Sequence, residues 1–164
     1  MRQLVLIAHN LRSTHNVGSL LRTADGLGVQ QVWLTGYTPY PLVLHDERLP
    51  HLAQKIDRHI IKTALGAEKT VSWQYKTDIK TVIKDLKHRG FTIAALEQVP
   101  NAISLPDFKP PEKLALVVGR EVEGLEPEVV QMCDPSLEIP MFGSKESFNV
   151  VQAAAMALYH FRFS

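Results

Sequence analysis

The stretch from Leu114 to Ala157 sets the tightest limits on what this chain can become. It opens with the apolar run Leu114-Ala115-Leu116-Val117-Val118, which breaks at Gly119-Arg120-Glu121 and again at Gly124-Leu125. A second short run, Leu137-Glu138-Ile139, stops at Pro140, and a polar loop from Gly143 to Asn149 leads into an apolar helix-like segment. Two strands that each end in a Gly- or Pro-marked loop leave backbone amides and carbonyls exposed at neighbouring strand ends. In an open α/β sheet, small ligands sit there. Pro140-Met141-Phe142-Gly143 adds soft apolar surface and free backbone groups, which suit a flat heterocycle.

The rest of the chain supports that frame. Gln3 to Ala8 is a β-rich apolar run, and His9 to Asn16 is a polar loop rich in turn and cap formers. Val17, Leu20, Leu21 and Ala24 then recur at helical spacing, with Asn16 or Thr14 as the expected cap and Gly26 or Gly28 as the stop. Gln31 to Leu34 reads as the next strand, so the chain opens as strand, helix, strand with parallel pairing. Between His45 and Ile61 only weak helical spacing is visible, and Thr63 to Glu68 reads as a loop or short turn. Val71 to Tyr75 alternates like an exposed strand. Asp78 to Arg89 predicts a capped helix ending at Gly90, and Phe91 to Leu96 another strand. Val99 to Lys113 carries Pro100, Pro106, Pro110 and Pro111 and predicts a long surface loop. Glu126 to Cys133 predicts a helix with Pro127 in its first turn, and Phe148 to Phe161 a closing helix. The fold class expected is α/β: a single-domain parallel sheet over residues 1–164 with helices on both faces.

Composition excludes several classes. With 164 residues, 45% hydrophobic and 21% charged, the chain can bury a real core. A formal net charge of +1 gives no global basic field, so a nucleic-acid site must be a local patch or one assembled from two subunits. One cysteine, Cys133, excludes an intrachain disulfide framework and fits a reducing, cytoplasmic setting. No window approaches the ~18 apolar residues of a membrane span. The seven histidines lack metal-site spacing, so no metal is expected.

Three constellations carry chemistry. Asn16, Gly18 and Arg22, with Asn10 upstream, open a helix that follows a strand. Helix amides and an arginine there suit a phosphate or carboxylate, although the same residues also serve as cap, packing glycine and solvated arginine. Gly119-Arg120-Glu121-Val122-Glu123-Gly124-Leu125 is neither a P-loop nor a dinucleotide fingerprint. Its glycines admit a close ligand, and Glu121 could hold a cation or a ribose hydroxyl, or the segment is a plain strand-to-helix turn. Ser147 and Asn149, ahead of an apolar helix, read first as caps.

Taken in order, Asn10…Asn16-x-Gly18-x-x-x-Arg22, Val117-Val118-Gly119-Arg120-Glu121-x-x-Gly124-Leu125, and Ile139-Pro140-Met141 with Ser147-Phe148-Asn149-Val150 closely resemble the three motifs of the SpoU (TrmH-like) RNA 2′-O-ribose methyltransferases of the SPOUT superfamily. The resemblance spans nearly the whole chain. Two departures are small: Val122-Glu123 stands where a Gly is common, and Phe148 replaces Leu.

That resemblance implies a five- or six-stranded parallel sheet with a C-terminal trefoil knot, a homodimer, and S-adenosylmethionine held by Leu96, Glu97, Val118, Gly119, Gly124, Ile139, Pro140, Met141, Ser147, Asn149 and Val150. It implies catalytic roles for Arg22, Asn16, Glu121, Ser147 and Asn149, with Arg22 reaching across the dimer. An arginine is rarely deprotonated, so positioning and stabilisation of a developing alkoxide fit it better than a base role. RNA, tRNA or rRNA, would meet Arg12, Arg22, Arg120 and Lys145, with Arg2, Arg48, Lys55, Arg58 and Lys62 as further basic candidates and Tyr37, Tyr40 and Trp73 as stacking candidates. The resemblance also implies no separate RNA-binding extension. Two other readings stand beside it: an RNA-binding or assembly protein with the fold but no turnover, and a base methyltransferase of the same superfamily.

Overall fold

The computed structural model describes residues 1–164. Strand β1 (Gln3–His9) leads into helix α1 (Thr14–Gly26), then β2 (Gln31–Thr35), α2 (Pro50–Ala64), the short α3 (Ala67–Thr70) and β3 (Trp73–Lys76). There follow α4 (Ile79–His88), β4 (Thr92–Leu96), β5 (Ile103–Ser104), β6 (Lys113–Val118), α5 (Pro127–Met132), β7 (Ser136–Glu138) and α6 (Val150–Phe163). All seven strands join one sheet in the order β3-β2-β1-β6-β4-β7-β5, and every pairing is parallel.

Alternation along the strands explains the two-sided core. Leu4, Leu6 and Ala8 of β1 face one side, while Val5 and Ile7 face the other. The first side packs on α1, on Ile60 and Ala64 of α2, and on Ala154, Ala157, Leu158 and Phe161 of α6. The second side packs on Ile79, Val82, Ile83 and Leu86 of α4 and on Val129 of α5. Each buried Val, Leu, Ile or Phe among these contributes about 1.5–3 kcal/mol relative to exposure, which is why the β1, β4 and β6 runs are so apolar.

Several expectations are corrected. The sheet has seven strands rather than five or six, because the two residues Ile103–Ser104 add β5 beside the expected strand at Leu137. The segment expected to be a surface loop from Val99 to Lys113 contains β5. The weakly patterned segment before Ile61 holds the 15-residue α2, which buries only Ala53, Ile60 and Ala64. Within Thr63 to Glu68 the short turn is confined to Leu65-Gly66, between the end of α2 and the start of α3. The cap of α1 is Ser13, whose hydroxyl accepts the Asn16 amide at 3.1 Å, not Asn16 or Thr14.

Gly18 has a defined task. A Cβ there would meet the carbonyl of Ile60 and the hydroxyl of Thr63, with the Ala64 amide at 2.9 Å. Its absence lets α1 lie directly on α2, and the Thr63 hydroxyl donates to the His15 carbonyl at 2.8 Å across that contact.

Candidate active site

Strands β6, β4 and β7 are neighbours and point the same way, so their C-terminal ends open on one side. A cleft of about 230 Å³ lies there. Of the residues expected to hold a cofactor, Leu96, Glu97, Val118, Gly119, Gly124, Ile139, Met141, Ser147 and Val150 line it. Pro140 and Asn149 do not. Asn149 caps α6 instead, its side chain accepting the Val151 amide at 2.9 Å. Sequence reasoning missed Leu137, Glu138, Glu146 and Ala153 as lining residues. Glu138 directly precedes the third motif, so its position was visible but its direction was not.

One wall of the cleft is tied down by three carboxylates, one from the end of β4 and two of its own. Glu97, just past β4, accepts the Leu125 amide at 2.7 Å, and its carboxylate occupies the space a side chain on Gly124 would need. Gly124 itself has φ +69, a conformation that favours glycine. Glu121 reaches α1: its Oε1 accepts from the Ser13 amide at 3.3 Å and from Asn16 Nδ2 at 3.4 Å. The first two motifs, more than a hundred residues apart, therefore meet at this carboxylate.

Glu126 is the third. Asn10 Nδ2 donates to its Oε1 at 2.8 Å, His9 Nε2 lies 3.3 Å from its Oε2, and Arg120 Nε stands 4.0 Å from its Oε1. Arg120 Nε also donates to the Gly124 carbonyl at 2.9 Å. Asn10, at φ 56, is held from the other side by the Tyr37 amide. His9 is only 7% exposed. Burial lowers its pKa against the opposing pull of Glu126. Burial raises the Glu126 carboxyl, but its own amide, Asn10, His9 and Arg120 outweigh that and leave it below the usual range. The pair is therefore a neutral imidazole beside a carboxylate near neutral pH. Sequence reasoning did not single out His9 or Glu126.

Five carboxylates, those of Glu97, Glu121, Glu123, Glu138 and Glu146, line the cleft against one guanidinium, Arg120. The potential inside is negative and favours a ligand with positive charge. No cluster of metal-ligating side chains is present, and burial pushes the Cys133 thiol up to about 11, which makes it a poor nucleophile.

Arg22 is not in this cleft. It is exposed, makes no ion pair or hydrogen bond, and lines a separate hollow with Ser19, Thr23, Lys62, Thr63, Leu65 and Val151. The first turn of α6 divides the two spaces, with Val150 lining one and Val151 the other. Arg12 and Lys145 are exposed on the rim side. Among the further basic candidates, Arg2 donates to the Pro110 and Phe161 carbonyls, and Arg48 is locked to Asp46 and the Tyr40 ring. Tyr40 stacks on Tyr75 at 4.1 Å and Trp73 donates to the Glu68 carbonyl, which leaves Tyr37 exposed.

An open parallel sheet with a glycine-edged cleft at its strand ends defines a small-ligand-binding α/β protein. Residues 3–159 match the SpoU rRNA Methylase family, and the chain belongs to it. A Staphylococcus epidermidis protein assigned to the TrmH family of tRNA/rRNA methyltransferases is 33% identical over 155 residues, 94% of this chain and 56% of its own length. The chain thus spans about half the length of that curated relative. Among solved structures, one described as giving insight into 2-OH methylation of C/U34 on tRNA superposes with a TM-score of 0.76 at 26% identity, covering 98% of this chain and 94% of the other. An AdoMet-bound rRNA methyltransferase from Sinorhizobium meliloti shares the fold, with a TM-score of 0.83 at 19% identity over 98% and 56% of the two chains. No helix is long and apolar enough to cross a membrane.

Proposed function

We propose that residues 1–164 form one S-adenosylmethionine-dependent methyltransferase domain that acts in the cytoplasm on the ribose 2′-OH of tRNA or rRNA. The observation that supports this most is the cleft itself: segments from β4, β6, β7 and the head of α6 meet there, and Glu121 links it to the Asn16 motif. S-adenosylmethionine carries a sulfonium and an ammonium against one carboxylate, which matches the acidic lining. Glu97, Gly119, Ile139, Met141 and Val150 would hold it, and when bound it supplies an electrophilic methyl group.

The chain's own residues then have to place the acceptor and manage its proton. Arg22 is proposed to come from a second copy of the chain, where its unpaired guanidinium would orient the 2′-oxygen and stabilise the charge that grows on it. Asn16 and Glu121 would hold the edge of that arrangement, while Ser147 and Asn149 would set the loop that precedes α6. The exposed Met156, Tyr159 and Phe163 of α6 support a homodimer. The sheet order, with β7 between the previously laid β4 and β5, supports a C-terminal trefoil knot.

Labelled S-adenosylmethionine and RNA lacking the modification test this reading. Digestion should give label in a 2′-O-methylnucleoside; label in a base would favour the base-methyltransferase alternative. Arg22→Ala should cut turnover at least 100-fold while the affinity for S-adenosylmethionine, read by calorimetry, stays within about twofold. Equal loss of both would make Arg22 structural.

A further inference from the structure

The charges of this chain are segregated in a way its net charge of +1 hides. The cleft is lined by five carboxylates and one arginine. Helix α2 presents the opposite sign: Lys55, Arg58 and Lys62 are all exposed. Spaced three and four residues apart, they form one stripe about 10 Å long. None of the three makes an ion pair, since the salt bridges of the molecule involve other residues. The only carboxylate of the helix, Asp57, is turned away to accept the Leu42 amide at 2.8 Å.

Helix α4 shows what an ordinary solvated basic helix looks like here. Lys80 at its start pairs with Glu128 at 2.7 Å and Arg89 at its end with Asp85 at 3.6 Å, while Lys84 and Lys87 make no ion pair. The α2 stripe has no such neutralisation. It also leads somewhere: Lys62 and Arg22 line the same hollow, together with the hydroxyls of Ser19 and Thr23. Two cations and two hydroxyl donors around one hollow are the donor set that phosphate oxygens take. The imidazole of His59, beside the stripe and edge-to-face with His15 at 6.1 Å, is held below its ordinary pKa by desolvation first and then by Lys62, Lys55, His15 and Arg58.

Resting on the reading of the chain as an RNA methyltransferase, we propose that Lys55, Arg58 and Lys62 of α2 form the track for the phosphate backbone of the RNA and deliver the strand to Arg22. The acidic cleft repels that backbone and admits the cationic cofactor, so the two substrates are sorted by charge before either is recognised in detail. The partner is a polyanionic strand, and the contacts are to phosphate rather than to bases. The track therefore contributes affinity and direction, not sequence choice.

Fluorescein-labelled unfractionated tRNA is the probe. Its affinity is measured by anisotropy between 50 and 300 mM salt for the wild-type chain, for Lys55→Ala/Arg58→Ala/Lys62→Ala, and for the control Lys84→Ala/Lys87→Ala on α4. The α2 variant should weaken binding at least tenfold at 150 mM salt and reduce the slope of log K against log salt by roughly 2. The control should stay within twofold. S-adenosylmethionine binding and the melting curve, measured on each variant, should not change. An α2 variant that melts as wild type and binds tRNA no worse than the control overturns the proposal. So does loss of self-association in sedimentation without loss of RNA affinity, which would assign the stripe to a protein interface. A wild-type chain that binds S-adenosylmethionine but methylates no RNA fails the functional reading instead, and the track with it.

Discussion

The two walls of the cleft are built differently. The wall from Gly119 to Glu126 is pinned by Glu97, Glu121 and Glu126, each bonded to a segment distant in sequence. The wall from Phe142 to Phe148 is exposed throughout, and Phe142 is 99% exposed. It is crossed by one side-chain bond, from Gln98 Nε2 to the Glu146 carbonyl at 2.9 Å. The first wall is ordered without a ligand. The second has few contacts of its own and is the part that a ligand can order. Affinity in such a cleft depends on how little the fixed side must move and how much the open side gains on closing.

Matched glycine substitutions give the strongest way to break this comparison. Gly124→Ala adds a Cβ at positive φ and displaces the Glu97 carboxylate from the Leu125 amide. We expect a loss of about 2–4 kcal/mol in stability and at least tenfold in S-adenosylmethionine affinity, read by chemical denaturation and calorimetry. Glu121→Ala should come next. It removes the link to Ser13 and Asn16, so kcat should fall about 10-fold while the melting temperature drops by only a few degrees.

A pH titration of stability sharpens the account of the pinned wall. The folded chain resists protonating His9, whereas the unfolded chain takes up that proton near the ordinary 6.5. The unfolded state therefore binds more protons in that range, and stability should fall as pH drops through 6.5. Glu126, held below its ordinary 4.5, keeps its contribution until lower pH. His9→Gln should flatten the melting-temperature profile between pH 7.5 and 5.5 and leave the region below 4.5 sloping. The smallest effect belongs to the open wall. A Cβ on Gly143 meets nothing within 4 Å, so Gly143→Ala should change stability by less than about 1 kcal/mol.

Much of this architecture could be read from residues alone because it is local. The runs in β1, β4 and β6 are apolar since both their faces are buried, and Asp78 caps α4 as its sequence announces. Helix α2 escaped because its buried stripe is narrow, while exposed Leu52 and Ile61 interrupt its polar face. Strand β5 escaped because two residues carry no periodicity. The motif residues were found, but not what each touches. That Glu97 fills the space beside Gly124, or that Asn10 serves Glu126, depends on strand order, which no local pattern encodes. Gly18 was open to both a packing and a ligand role, and only the α1–α2 contact shows that it packs.

Amide hydrogen exchange with and without saturating S-adenosylmethionine tests the central claim most directly. The account predicts strong new protection from residue 139 to residue 150, and little change at Gly124 and Leu125, whose amides already donate to the Arg120 carbonyl and the Glu97 carboxylate. Unchanged exchange along both walls, or protection confined to a surface away from the ends of β4, β6 and β7, would contradict it.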